Sequence, residues 1–256
     1  MATIGILGMG SMGQAMYQSL QQSKLFDELL VYDRNADKLE IAEPHQRCEG
    51  MTALVENTSI LILAVKPQGF NELTLDSYSG VLISILSGTS IQQIKEKIAA
   101  PNVVRVMPNL ALQVGKGMSL WYCADSLPDK TTVQKVLRCF GTELEMPSEE
   151  VLDQATGISG SGPAYFYYFT ELLASNAEAL GLSKENALQL AQQTFIGSAV
   201  LLEKSVKTPQ ELREAVTSKG GVTFAALEVL RESWPTTVEK ALKSAAKRTF
   251  ELRDGE

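Results

Sequence analysis

The feature that most restricts what this chain can fold into is a glycine pattern close to its start. Gly8, Gly10 and Gly13 stand in G-x-G-x-x-G spacing. The apolar run TIGIL (3–7) precedes them, and QAMYQSLQQSK (14–24), which reads as a helix, follows. A strand that passes into a helix through such a turn has the geometry of a dinucleotide-binding fingerprint. Gly8 allows the tight turn, Gly10 lets backbone approach a pyrophosphate, and Gly13 lets the helix pack closely on the strand. The amides that open the helix, around Ser11 and Met12, and its positive dipole end would face the phosphates. A second strand, LLVY (29–32), ends in Asp33, 20 residues after Gly13. A carboxylate there accepts hydrogen bonds from the adenosine ribose of NAD, whereas the adjacent Arg34 is suited to the 2′-phosphate of NADP. Both residues are present. The reading leans to NADP(H), with NAD(H) as the other option.

The rest of the first half repeats the strand signal. ILILAV (60–65) stops at Lys66-Pro67, VLISIL (81–86) at Ser87-Gly88, and VVRVM (103–107) at Pro108. Short apolar strands alternating with helix-length polar segments predict βα units around a parallel sheet covered on both faces. Weaker strands are expected at 117–122 and 142–146, with a helix at about 126–138 between them.

After Pro147 the pattern turns helical. Helices are predicted over 163–180, opening on Pro163 and stopping at Gly181, and over 184–205 behind a Ser183 cap. Thr208-Pro209-Gln210-Glu211 reads as a capping box that starts another, and Gly220-Gly221 ends it. Two more are expected at 223–233 and 236–253, split by Pro235. The fold class expected is therefore α/β: a Rossmann-type doubly wound sheet over residues 1–150, followed by an all-helical domain over 151–256. Tyr165 to Phe169 are consecutive aromatics, and an all-round apolar helix is a buried one. They read as core more than pocket, as does Met107. A small helical domain has difficulty covering that much apolar surface alone, so dimerisation through these helices is expected.

Composition narrows the classes. Net charge is −7 with the basic residues dispersed, which leaves no basic patch for nucleic acid. No apolar run approaches the ~18 residues of a membrane span, and no leader-like n-region precedes the first strand. Cys48, Cys123 and Cys139 are widely spaced and form no C-x-x-C pair, so no metal site is expected and free thiols in a reducing cytoplasm are. His45 is the only histidine. That disfavours a Ser-His-Asp hydrolase or a two-histidine metal site.

Three segments carry a more specific likeness: LAVKP (63–67), GISGSGPAY (157–165) and VTSKGGVTFAALEVL (216–230). With VRVMPN (104–109) they resemble pyrroline-5-carboxylate reductase, in the same order and over essentially the whole chain. The resemblance implies NAD(P)H-dependent reduction of the cyclic imine L-1-pyrroline-5-carboxylate to L-proline, in a homodimer or a larger assembly of dimers. It implies that Ala64, Val65, Lys66 and Pro67 line the dinucleotide. It also implies that Thr223 hydrogen-bonds the ring nitrogen. A threonine hydroxyl does not titrate near neutral pH, so its role would be orientation and donation rather than general acid catalysis. Ser218, Gly220 and Gly221 read as a backbone nest for the substrate carboxylate, and Asn109, at a strand end, as a residue to position the substrate or the nicotinamide. Ser159 to Gly162 read equally as a linker and as a place where the second domain closes on the cofactor.

The sequence departs from the family pattern at Lys219, where proline is usual, and at Leu110-Ala111, where Thr-Pro is usual. Those departures keep open a non-catalytic, regulatory or competence-associated relative. A two-domain reductase of the β-hydroxyacid dehydrogenase type is the other alternative. It would need a helix lysine, and Lys184 and Lys204 lie on helices without the glycine-flanked setting of Thr223.

Overall fold

In the computed structural model, residues 2–26, 28–125 and 127–254 are described. The chain separates into two compact units, Met1–Pro163 with Ala245–Glu256, and Ala164–Ser244.

The first unit is built on a sheet of seven strands: β1 Thr3–Leu7, β2 Glu28–Tyr32, β3 Ile60–Leu63, β4 Val81–Ser84, β5 Asn102–Met107, β6 Gly117–Cys123 and β7 Gly141–Glu145. Their order is β2-β1-β3-β4-β5-β6-β7. β1 pairs with both β2 and β3 in parallel, so the chain steps outward to β2 and then returns across β1 to β3. That reversal opens a crevice at the carboxyl ends of β1 and β3, where ligands bind in open α/β sheets.

Alternation along the strands sends side chains to both faces. Ile60 and Ile62 of β3 join one core with Ile4, Ile6, Val31, Val104 and Trp121. Leu61 and Leu63 join the other with Leu7, Leu30, Leu82 and Val103. Helices α1 (Ser11–Ser23) and α5 (Lys130–Arg138) cover the first face through Met16, Leu20, Val133 and Leu137. On the second lie α2 (Met51–Glu56), α3 (Pro67–Asn71) and α4 (Ile91–Lys97), through Leu54, Phe70, Ile91 and Ile94. Burial on both faces explains why β3 reads as an unbroken apolar run.

The sheet is not wholly parallel, since β6 runs antiparallel to β5. A short 3-10 turn at Leu110–Val114 and a left-handed Gly115 (φ 66°) connect them. A parallel connection needs a crossover of a dozen or more residues, and this link is too short for one. Helix α6 (Glu149–Ser159) follows β7 and fills a stretch for which the sequence predicts no element. It starts on Ser148, whose side chain accepts from the Val151 amide, and carries Glu149 and Glu150 in its first turn.

Beneath α6 lies a buried ion cluster. Arg105 of β5 is fully buried and donates to Asp153 at 2.6 Å and to Glu149 at 3.0 Å. Asp153 is itself fully buried and also accepts from Arg253 at 3.3 Å. Glu149 in turn accepts from the Ile91 amide that opens α4, at 2.8 Å.

The second unit holds most of α7 (Gly162–Ala179), all of α8 (Lys184–Lys204) and α9 (Pro209–Ala215), and α10 (Val222–Asp254) as far as Ser244. Two expectations need correction here. Pro235 does not split the last helix: α10 is continuous over 33 residues with Pro235 inside it. Proline in a helix interior costs about 3 kcal/mol. Trp234, beside it, meets Phe169 edge-on at 5.1 Å, a contact that offsets part of that cost, about 0.5–1.5 kcal/mol. The aromatics at the start of α7 are also not buried within the chain. Tyr165, Phe166, Tyr167 and Tyr168 are 40–60% exposed, and the buried hydrophobics of this unit are the small residues Ala174, Ala187 and Ala191.

Candidate active site

The crevice between β1 and β3 is a groove of about 500 Å³, lined by Gly8, Gly10, Asp33, Arg34, Ala64, Val65 and Lys66 among others. Its floor is the glycine turn. Gly8 sits at φ 100°, and a Cβ there would lie 2.8 Å from the backbone of Ala64 and Val65. A Cβ on Gly13 would lie 2.0 Å from the Gly8 carbonyl oxygen. These two glycines are requirements of packing. Gly10 differs, because a Cβ there would meet nothing within 4 Å. It precedes α1, and no side chain caps that helix. The first amides of α1, at Ser11, Met12 and Gly13, thus start beside open space, which is the arrangement that accepts an anion. Met12 itself leans on the apolar core behind the turn.

Asp33 ends β2 and braces the turn. One of its oxygens accepts from the Met9 amide at 2.8 Å and the other from the Asn35 amide at 2.9 Å. Lys38 approaches both oxygens at 3.3 Å. Burial opposes ionisation of this carboxyl, but the Asn35 and Met9 amides and the Lys38 ammonium outweigh it and hold the group below its ordinary range. A carboxylate offers about four acceptor positions, and these contacts engage all of them. Arg34, next in sequence, points its fork at Glu72: one nitrogen lies 2.6 Å from the carboxylate and the other 3.1 Å from the Glu72 carbonyl oxygen.

Lys66 caps α3 and Pro67 opens it. Pro67 faces a neighbouring hollow rather than the groove, together with Phe70, Gly88 and Leu252. Asn109 is committed to structure: its amide donates to the Ser159 carbonyl at 3.0 Å and its oxygen accepts from the Met118 amide at 3.2 Å. It ties the end of α6 to the start of β6.

Sequence reasoning missed Lys38, Asn35, Thr52 and Thr74, which also line the groove. Lys38 could have been found, since an Asp-x-Asn turn places a lysine five residues on beside the carboxylate. Nothing in the sequence singles out Glu72.

The second unit carries the other predicted residues. Ser218, Gly220 and Gly221 form the turn between α9 and α10. Gly220 is left-handed at φ 71°, and the Gly221 amide donates to the Ser218 carbonyl at 3.0 Å. A Cβ on Gly221 would lie 2.4 Å from the Ser218 hydroxyl. Thr223 stands in the first turn of α10 and is exposed within the chain.

The cysteines offer no rival chemistry. All three are unpaired, and burial pushes their thiols up, away from the reactive thiolate. Among the described residues no cluster of His, Cys, Asp and Glu could hold a metal ion. Among the same residues no helix is long and apolar enough to cross a membrane.

Comparison with known proteins decides the family. The chain is 33% identical to the pyrroline-5-carboxylate reductase of Aquifex aeolicus over 90% of this chain and 89% of that one. It is 32% identical to pyrroline-5-carboxylate reductase 2 of Bacillus subtilis over 99% and 96%. The chain belongs to the pyrroline-5-carboxylate reductase family. Residues 149–252 match the model described as pyrroline-5-carboxylate reductase dimerisation, and residues 3–88 match that of the coenzyme F420-dependent NADP oxidoreductases. Among solved structures, the pyrroline-5-carboxylate reductase of Coxiella burnetii aligns with a TM-score of 0.89 at 27% identity over 98% of both chains. The Plasmodium falciparum enzyme, solved with NADP bound, aligns at 0.80 and 29% over 98% of both. The doubly wound N-terminal sheet and the helical C-terminal half expected from sequence are those of this family.

Proposed function

We propose that the protein reduces L-1-pyrroline-5-carboxylate to L-proline with NADPH, as a cytoplasmic homodimer or an assembly of such dimers. In this reading residues 1–150 hold the dinucleotide and residues 151–256 hold the imino acid and the partner subunit. The observation that carries it is the uncapped start of α1 beside Gly10, where no side chain stands between backbone amides and the groove. That cradle fits a pyrophosphate, and near-full-length kinship with pyrroline-5-carboxylate reductases supplies the reaction. NADP(H) rather than NAD(H) is favoured because the acceptor positions of Asp33 are engaged by Met9, Asn35 and Lys38, which leaves it poorly placed to read a ribose hydroxyl.

When bound, the nicotinamide supplies the hydride that reduces the imine carbon. The chain's own residues bind and orient. The Ser11 to Gly13 amides and Gly10 would hold the diphosphate, and Ala64 to Lys66 would form the opposite wall. The Ser218–Gly221 turn would take the substrate carboxylate on backbone amides at the start of α10. The Thr223 hydroxyl would hydrogen-bond the ring nitrogen, fixing the imine for attack without itself titrating. The exposed aromatics of α7 supply a partner-facing surface. Asn109, already used between α6 and β6, enters this reading as the support of the Met107–Asn109 strand end rather than as a free donor to substrate.

The deciding experiment follows cofactor oxidation at 340 nm with synthetic imine and, in parallel, with β-hydroxyacids in the reverse direction. Turnover of the imine alone supports the assignment. Dinucleotide binding without turnover would mark a non-catalytic relative.

A further inference from the structure

The adenosine end of the groove holds two cations, and both already have a carboxylate. Lys38 lies against Asp33. Arg34 lies against Glu72, with side-chain exposures of 58% and 66%. The Arg34 fork is engaged at both terminal nitrogens, by the Glu72 carboxylate and by the Glu72 carbonyl oxygen. A 2′-phosphate on the adenosine ribose would seek that same planar fork.

Glu72 is not free to drift away. It caps the end of α3, where its amide donates to the Phe70 carbonyl. Phe70 and Leu73, on either side, are buried in the core. The backbone is therefore fixed while the exposed carboxylate can swing. A phosphate that took over the guanidinium would leave that carboxylate close by, unpaired and of like charge. A free 2′-hydroxyl imposes neither displacement nor repulsion.

We infer that Glu72 is a specificity-determining residue for the dinucleotide: by holding Arg34 it weakens the preference for a 2′-phosphorylated cofactor and keeps the groove open to NADH as well as NADPH. The inference rests on the groove being the dinucleotide site. It assigns Arg34 the attraction and Glu72 the restraint, so cofactor choice depends on the pair rather than on either residue alone.

Binding can be read without turnover, by isothermal titration of the full-length protein with NADP+ and with NAD+. Glu72→Gln keeps the shape and removes the charge. It should tighten NADP+ roughly three- to tenfold, the range for release of one exposed ion pair together with loss of a like-charge contact, and leave NAD+ unchanged. Arg34→Met should weaken NADP+ selectively, and adding Glu72→Gln to it should then change nothing. The gain in the single variant should shrink as salt rises. An unchanged NADP+ to NAD+ affinity ratio in Glu72→Gln, or a shift toward NAD+, overturns the inference while leaving the groove assignment intact. A wild-type protein that binds neither dinucleotide overturns both.

Discussion

The Met9 amide donates to the Asp33 carboxylate at 2.8 Å, joining the glycine turn to the end of the neighbouring strand across 24 positions of sequence. Since burial is outweighed by the Asn35 and Met9 amides and by Lys38, the folded carboxyl titrates below its ordinary value of 3.8. Its contribution to stability is therefore complete above that value and is lost as pH falls through the lowered folded one. Asp33→Asn should remove this acid-dependent part. It should also cost about 1–3 kcal/mol at neutral pH, because one amide cannot accept from both backbone donors as the carboxylate does. Urea midpoints of wild type and variant, followed from neutral pH downward, should converge in acid. Parallel curves would mean that the carboxylate is not the brace.

Gly10 and Gly13 should respond oppositely to the same added methyl. Gly13→Ala drives a Cβ to 2.0 Å from the Gly8 carbonyl oxygen, so the helix must shift off the strand. The expected loss is about 3 kcal/mol, at the upper end for overpacking. Gly10→Ala meets nothing and should cost under about 1 kcal/mol. It should nonetheless weaken dinucleotide binding roughly tenfold or more, because the methyl stands where backbone must approach phosphate. Thermal melts and cofactor titrations of the two variants separate folding from binding.

Removal of Asp153 takes away the one fully buried carboxylate of the sealed Arg105, whose Nε already lacks a partner among the described residues, and leaves it Glu149 alone. Asp153→Ala should lower stability by about 3–5 kcal/mol. The pair Arg105→Met with Asp153→Leu should recover most of that loss, since both fully buried charges are gone and the former partners Glu149 and Arg253 keep access to solvent. Chemical denaturation of the three variants tests it. If the double variant is as unstable as the single, the packing of the site and not its charge is at fault.

Thr223→Ala should reduce imine turnover by tens- to hundreds-fold, equivalent to about 2–3 kcal/mol for one oriented donor. NADP+ affinity should be unaffected. Serine at this position should restore most of the rate. Wild-type kcat/KM in the alanine variant would remove the residue from catalysis.

The helical half exposes apolar side chains far out of proportion to what it buries, with Tyr168 at 60% and Leu201 at 56% exposed. A glutamate at either position should shift the sedimentation coefficient toward the monomer if these faces meet a second subunit. An unchanged coefficient in both variants would place the contact elsewhere.

Local chemistry was the legible part of this chain. The five leading strands, the glycine turn and the cap at Thr208 follow from periodicity and from residues with one dominant conformational use. What stayed hidden depends on partners distant in sequence. Pro235 reads as a break because its cost is local, whereas the contact that offsets part of it is made by its neighbour Trp234 with Phe169 on another helix. Helix α6 was obscured because its apolar positions are few, and what fastens it is a salt bridge 48 positions back to Arg105. Arg105 is a lone charge inside an apolar strand run, and only the fold shows it sealed. Arg34 was visible as a candidate anion ligand, but its pairing with Glu72, 38 residues away, has no sequence signature. Asn109 likewise reads as an available donor until Ser159 and Met118 are seen to claim it.

Gly8 presses its α-carbon onto the peptide that joins Ala64 to Val65, with no atom to spare between the two crossings. The two walls of the groove therefore move as a single piece of backbone. Mutational tolerance at positions 64 and 65 should be governed by main-chain path and not by side-chain size. An engineered insertion on either crossing would be felt at once by the other, so attempts to widen the groove should instead target Thr52 or Thr74 on its rim.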